Sequence, residues 1–154
     1  MRGNNKENIT ASLIKKIKQE IYAQIGSLIE AADEAKEDAY LYNRAAGSIL
    51  HDFYTGIEKI FSGIANKIDG ILPQGEDWHI KLLKNMAGSS RKRATVISSD
   101  SMEKLKEYLG FRHLFRNIYG SQLNWGKLKA LLSGLQEGLW PSLKEEFNLF
   151  IKSL

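Results

Sequence analysis

The sequence has no cysteine, only two prolines and no long apolar run, and each absence removes a class of protein. Without cysteine there are no disulfides and no thiolate metal sites, so an apolar core has to hold the fold. The longest stretch without a charge runs from Asn117 to Gly126, ten residues. A helix needs ~20 to cross a bilayer. The opening segment MRGNNKENIT lacks the apolar centre of a secretory signal, and the expectation is a cytoplasmic protein with no membrane association. Strand-like composition is confined to Thr95-Val96-Ile97. The three histidines, His51, His79 and His113, show no metal-ligand spacing, and neither a glycine-rich phosphate loop nor a Ser–His–Asp arrangement is present. No metal and no cofactor is expected.

What is present is enough for one ordinary domain. The 154 residues are 43% hydrophobic and 26% charged, a composition that buries a core and solvates a surface. With no repeat, low-complexity tract or linker, the reading is a single domain over 1–154. The net charge of +4 is too small to indicate nucleic acid by itself. Local density says more: Arg91-Lys92-Arg93 fall together in a loop, and Arg112 and Arg116 share a helix.

Helical periodicity runs through nearly the whole chain. Leu13, Ile17, Ile21, Ile25, Leu28 and Ala32 follow at spacings of three or four, one face of a first helix with Asn8 or Thr10 as its cap. After the charged cluster Asp33 to Asp38, a second long helix carries the stripe Leu50, Phe53, Ile57, Ile60, Phe61, Ile64 and Ile68. Gly70 to Asp77, with Pro73 and Gly75, reads as a turn. Asp77 then caps a short helix, Trp78 to about Ala87, that buries Trp78, Leu82, Leu83 and Met86. Ser99 or Asp100 caps a fourth helix reaching about Leu123, with Glu103 as a capping-box acid. Asn124 caps a fifth, Trp125 to about Lys152, kinked near Pro141. The fold class is all-α, an antiparallel bundle of about five helices with two long ones first.

The segment Phe111-Arg112-His113-Leu114-Phe115-Arg116-Asn117-Ile118-Tyr119 carries the chemistry. On a helical wheel at ~100° per residue, Arg112, His113, Arg116, Asn117 and Tyr119 share one face. Phe111, Leu114, Phe115 and Ile118 share the other, which is expected to anchor the helix in the core. A solvated charged face is the ordinary explanation of such a pattern. Here, however, the polar face has no acid of its own to neutralise two arginines, which points to a bound anion. Leu105 and Leu109 continue onto the same arc, as they would beside a subunit interface.

This segment resembles the R-x(4–6)-H motif of HEPN proteins, in particular the HepT-like toxins, where it reads as R-polar-x3-H-x-Y. The setting is similar too: Trp78-His79 with Leu82-Leu83, then Arg93 and Val96-Ile97-Ser98, then the Phe111-Arg112-His113 helix, so that the resemblance covers about residues 40 to 130. It implies a HEPN-like helical bundle and a metal-independent endoribonuclease, the toxin of a toxin–antitoxin pair. It further implies a homodimer with two motifs across a cleft, RNA as substrate, and a Mnt-type nucleotidyltransferase antitoxin as partner. Arg112, His113 and Asn117 would be the catalytic positions, and Arg112, Arg116 and Arg93 would hold substrate. Tyr119 would be the tyrosine modified with AMP.

The chain departs from the motif at Asn117, where the family has its histidine. Asparagine has no useful proton to exchange, and losing such a group costs ~10²–10⁴ in rate. Three accounts fit: a naturally degenerate site, a substitution that silences a toxic protein, or proton transfer by His113. The first two are preferred, since the polar residue after the motif arginine is a helper. The alternative function is a non-catalytic protein that docks a nucleotidyltransferase or binds RNA or a nucleotide. A third reading is a helical interaction domain unconnected with nucleic acid. His79 and His51 read more simply as structural, and Tyr40-Leu41-Tyr42, Phe53, Tyr54 and Phe61 as core packing.

Overall fold

A computed structural model of the chain describes residues 2–29, 39–117 and 124–154. Its order is α1 (Arg2–Gln19), α2 (Ala39–Ile64), α3 (Trp78–Met86), α4 (Ser99–Asn117), α5 (Trp125–Gly134) and α6 (Trp140–Ser153). π-helical turns extend α1 (Glu20–Ile25) and α2 (Ala65–Asp69), and a third set (Leu135–Leu139) joins α5 to α6. α5 and α6 thus make one rod, and the architecture is an all-α bundle of five rods. Among the described residues there is no strand: Ser90 and Arg93 form an isolated bridge within a loop. Val96 and Ile97, in a bend, instead send both backbone N–H groups to the Met86 carbonyl, at 2.9 and 3.2 Å, which closes the C-terminus of α3. Among the described residues no helix is long and apolar enough to cross a membrane.

The two long helices run antiparallel. Gly63 faces Leu13, and Gly56 faces Glu20 and Ile25. At Gly56 a Cβ would stand 2.9 Å from Ile25 Cγ1 and 3.0 Å from Glu20 Oε1, so this glycine lets the two backbones approach. The expected stripe of α1 is buried through Leu13, Ile17, Ile21 and Ile25, but the next buried position is Ile29, with Leu28 only partly covered. The cause is the π-helical stretch: a wider turn delays the phase, and the fourth residue after Ile25 returns to the core in place of the third. The stripe of α2 is buried from Leu50 to Ile64, with Tyr54 added. Aromatic rings bind α2 to the later helices edge to face, Phe53 against Tyr108 and Trp140, and Phe61 against Phe147.

Several helix starts differ from expectation. α1 begins at Arg2, ahead of Asn8 and Thr10. The cap of α4 is Ser98, whose Oγ accepts from the Ser101 N–H at 3.1 Å. Glu103 pairs with Lys106, and the acid of the capping box comes from α6: Glu146 accepts from the Ser98 N–H and the Ser101 hydroxyl, both at 2.7 Å. Asp77 makes no side-chain cap and instead pairs with Lys81. Asn124 does cap α5, accepting from the Lys127 N–H at 3.2 Å. Pro141 follows closely on the π-helical turns Leu135–Leu139, and the helix continues through it as α6; the wider turns before it leave room for a residue without an N–H. The Asp33 to Asp38 cluster, Tyr119 and the expected extension of α4 to Leu123 lie outside the described residues, as do the side chains of Tyr40-Leu41-Tyr42.

Candidate functional site

α4 departs from the helical-wheel expectation at two positions, Arg112 and Leu114, while His113, Arg116 and Asn117 are exposed as expected. Arg112 is 1% exposed and Leu114 is 54% exposed, while Phe111 and Phe115 are half-buried. The reason is an acid on another helix. Arg112 Nη2 donates to both carboxylate oxygens of Glu58 on α2, at 3.1 and 2.9 Å. Its guanidinium carbon stands 4.8 Å from the centre of the Tyr54 ring. A neutralised, ring-stacked guanidinium can be buried, and so the arginine turns inward. Leu114 turns outward, to line a cavity of about 740 Å³ with Tyr108, Phe111, Leu131 and Leu139. Burial, and then the charge of Glu58, raise the Tyr54 hydroxyl far above the usual tyrosine range, with Arg112 opposing. It stays protonated.

Glu58 also holds a histidine. His79 Nδ1 lies 2.7 Å from Glu58 Oε2, and since a carboxylate only accepts, Nδ1 carries the hydrogen. Arg112 Nη2 lies 3.0 Å from the same Nδ1; both are donors, and both are turned on the carboxylate they share. The His79 ring lies against Trp78, centroids 3.7 Å apart, and meets His113 edge to face at 5.5 Å. His113 is exposed. Partial desolvation, followed by the neighbouring His79, Arg112 and Arg116, lowers its pKa from the ordinary histidine value, with Glu58 opposing.

The next turn of α4 repeats the theme at the surface. The exposed Arg116 donates from Nε to His51 Nε2 at 3.2 Å, and His51 Nδ1 stands 3.1 Å from Asp52. The His51 ring also packs on Phe115. Asn117, exposed, returns its side-chain N–H to the His113 carbonyl at 2.9 Å, a bond within its own helix.

The structure therefore brings Arg112, His113, Arg116 and Asn117 together on α4 and adds Glu58, His79 and His51 around them. Arg93 is elsewhere. Its guanidinium donates to both oxygens of Asp69 and to the carbonyls of Gly88, Asn85 and Ala94. Those bonds tie the α3–α4 loop to the end of α2, and they leave Arg93 with a structural use. Among the described residues no group of three or more His, Asp or Glu could hold a metal ion.

The all-α bundle is consistent with a HEPN-like fold. The chain belongs to the HepT-like protein family, whose model matches residues 45–154. The match extends to the last residue, past the limit of about 130 expected from the motifs, and so takes in the α5–α6 rod. Comparison with curated proteins and with solved structures returned no match.

Proposed function

We propose that this protein is the RNase toxin of a toxin–antitoxin pair and cleaves RNA without a metal ion. The observation that carries the reading is the meeting of all three histidines of the chain on one stretch of α4. His51 reaches it from α2 and His79 from α3, each in contact with an arginine of that stretch. Imidazoles beside cations are what metal-free RNA cleavage needs: groups that exchange protons near neutrality, and positive charge for the phosphate. Arg116, exposed, is the phosphate-binding arginine of the cluster. Arg112, without exposed surface, acts as a positioning residue through Glu58.

The proposal includes a homodimer, with the exposed Leu114 near the motif as part of the contact, and a Mnt-type nucleotidyltransferase as antitoxin. AMP transfer by that partner to Tyr119 would block the site. The test is cleavage of total cellular RNA by the purified protein in excess EDTA. The products should end in 2′,3′-cyclic phosphates, and Arg116→Ala should weaken both cleavage and RNA binding. A protein that neither cleaves nor binds RNA would sink the reading.

One observation favours the alternative of a non-catalytic binding protein. The side chain of Asn117 is turned onto its own helix, where it donates to the His113 backbone carbonyl, and among the described residues it makes no bond to a side chain of the cluster. That protein would still bind RNA or a nucleotide through Arg116, and would do so without product formation.

A further inference from the structure

We propose that His79, oriented by Glu58, is the general base of this site and does what the asparagine at position 117 cannot. The inference rests on the RNase reading above and assigns its proton acceptor. It starts from the tautomer. With the Nδ1 hydrogen committed to Glu58 at 2.7 Å, the lone pair of a neutral ring lies on Nε2, and no hydrogen bond among the described residues occupies that atom. A carboxylate on one imidazole nitrogen and a free lone pair on the other is how proteins prepare a histidine to take a proton from a hydroxyl.

The rest of the cluster makes the pair rigid. Arg112 grips both oxygens of Glu58 from a buried position, so the carboxylate cannot rotate away from the ring. Trp78 lies against the His79 ring from the side. Replacing a buried ion pair by apolar residues is often neutral or stabilising, so stability alone gives little reason to keep Arg112 and Glu58 here, and orientation of His79 gives one. The other two histidines are less suited. Both ring nitrogens of His51 are in contact, with Arg116 and Asp52. His113 carries a lowered pKa and has no carboxylate on its ring to fix its tautomer and orientation. The groups facing His79 are Glu58 from α2, Trp78 beside it on α3, and Arg112 and His113 from α4.

In the step proposed, Nε2 of His79 takes the proton of an RNA 2′-hydroxyl. The O2′–P bond forms, the P–O5′ bond breaks, and the leaving O5′ takes a proton from water. The products are a 2′,3′-cyclic phosphate and a 5′-hydroxyl, and the imidazolium returns its proton to solvent. Glu58 and Arg112 act only by positioning.

The experiment follows cleavage of a labelled mixed-sequence oligoribonucleotide and of total RNA across pH, for the unaltered protein, His79→Ala, His79→Gln and Glu58→Gln. Thermal melting controls for folding. The expected result is a ~10²–10⁴-fold loss for both His79 variants, disappearance of the fall in rate on the acid side, and partial rescue of His79→Ala by added imidazole. Glu58→Gln, which can still accept from Nδ1, should lose less and shift the acid limb. If His79→Gln melts like the parent and cleaves at the parent rate with the same acid limb, this inference fails and the RNase reading stands. If the unaltered protein cleaves neither RNA, both fail together.

Discussion

Arg112 is among the largest fully buried side chains in the described residues, and its value lies in what it would leave behind. Removing one member of a buried ion pair leaves the charge of the other uncompensated, at a cost of at most ~3–5 kcal/mol, with Glu58 keeping only its hydrogen bond from His79. Arg112→Ala should therefore destabilise the fold by up to that much in urea denaturation. Arg112→Met combined with Glu58→Leu should recover most of it, since no charge is then left buried. A double variant as unstable as the single one would mean that Arg112 contributes chiefly by packing on Tyr54. His113 is a smaller effect of the same electrostatic kind, read through pH. Its folded pKa lies below its unfolded value near 6.5, so the unfolded chain binds the proton first as pH falls. Stability is then lost on acidification from about 6.5 downward and regained on returning to neutral pH. His113→Asn should flatten that part of a melting-temperature profile, and an unchanged slope would remove His113 as its source.

At the scale of elements, the start of α4 depends on a residue far along the chain. Glu146 on α6 accepts from both the Ser98 N–H and the Ser101 hydroxyl. Lost capping interactions cost ~0.5–2 kcal/mol, so Glu146→Ala should lower the melting temperature by several degrees for a domain of this size. Ser98→Ala should cost a similar amount, and the two losses should not add, because both variants disturb one network. Full additivity in a double-mutant cycle would show the two contacts to be independent. This network also marks the limit of what local sequence can reveal. The five rods were legible because burying an amphipathic stripe leaves a period of 3.6 in the chain, and so was the cap at Asn124. A capping acid 48 residues from its serine leaves no local spacing to read. Arg112 and Leu114 were misassigned on α4 for the same reason. A wheel drawn for Phe111 to Tyr119 alone contains no acid, and Glu58, 54 residues away, decides that Arg112 goes inward and Leu114 outward. The motif itself and the grouping of Arg112, His113, Arg116 and Asn117 were visible in the sequence. The contact of His79 with its carboxylate partner, 21 residues back on α2, appears only when the helices pack.

For the molecule as a whole, the decisive position is 117, because its side chain is the one departure from the family motif and is not built into the fold. Asn117 is exposed, and its single side-chain bond goes to the helix it stands on. A histidine there has room, keeps the backbone of α4, and adds a proton-exchanging group one residue beyond Arg116. If His79 supplies the base, the imidazole at 117 would serve the leaving oxygen, which otherwise depends on water. Asn117→His should then raise RNA cleavage by ~10²–10⁴-fold with little change in melting temperature, and its induced expression should arrest growth where the parent does so weakly. Combining it with His79→Gln should return the rate toward that of the parent, because acid and base act on one step and neither replaces the other. An Asn117→His protein that binds RNA with unchanged affinity and, like the parent, does not cleave it would mean that the site binds without reacting. The clustered imidazoles would then be a recognition surface, and the family resemblance would extend to the fold but stop short of catalysis.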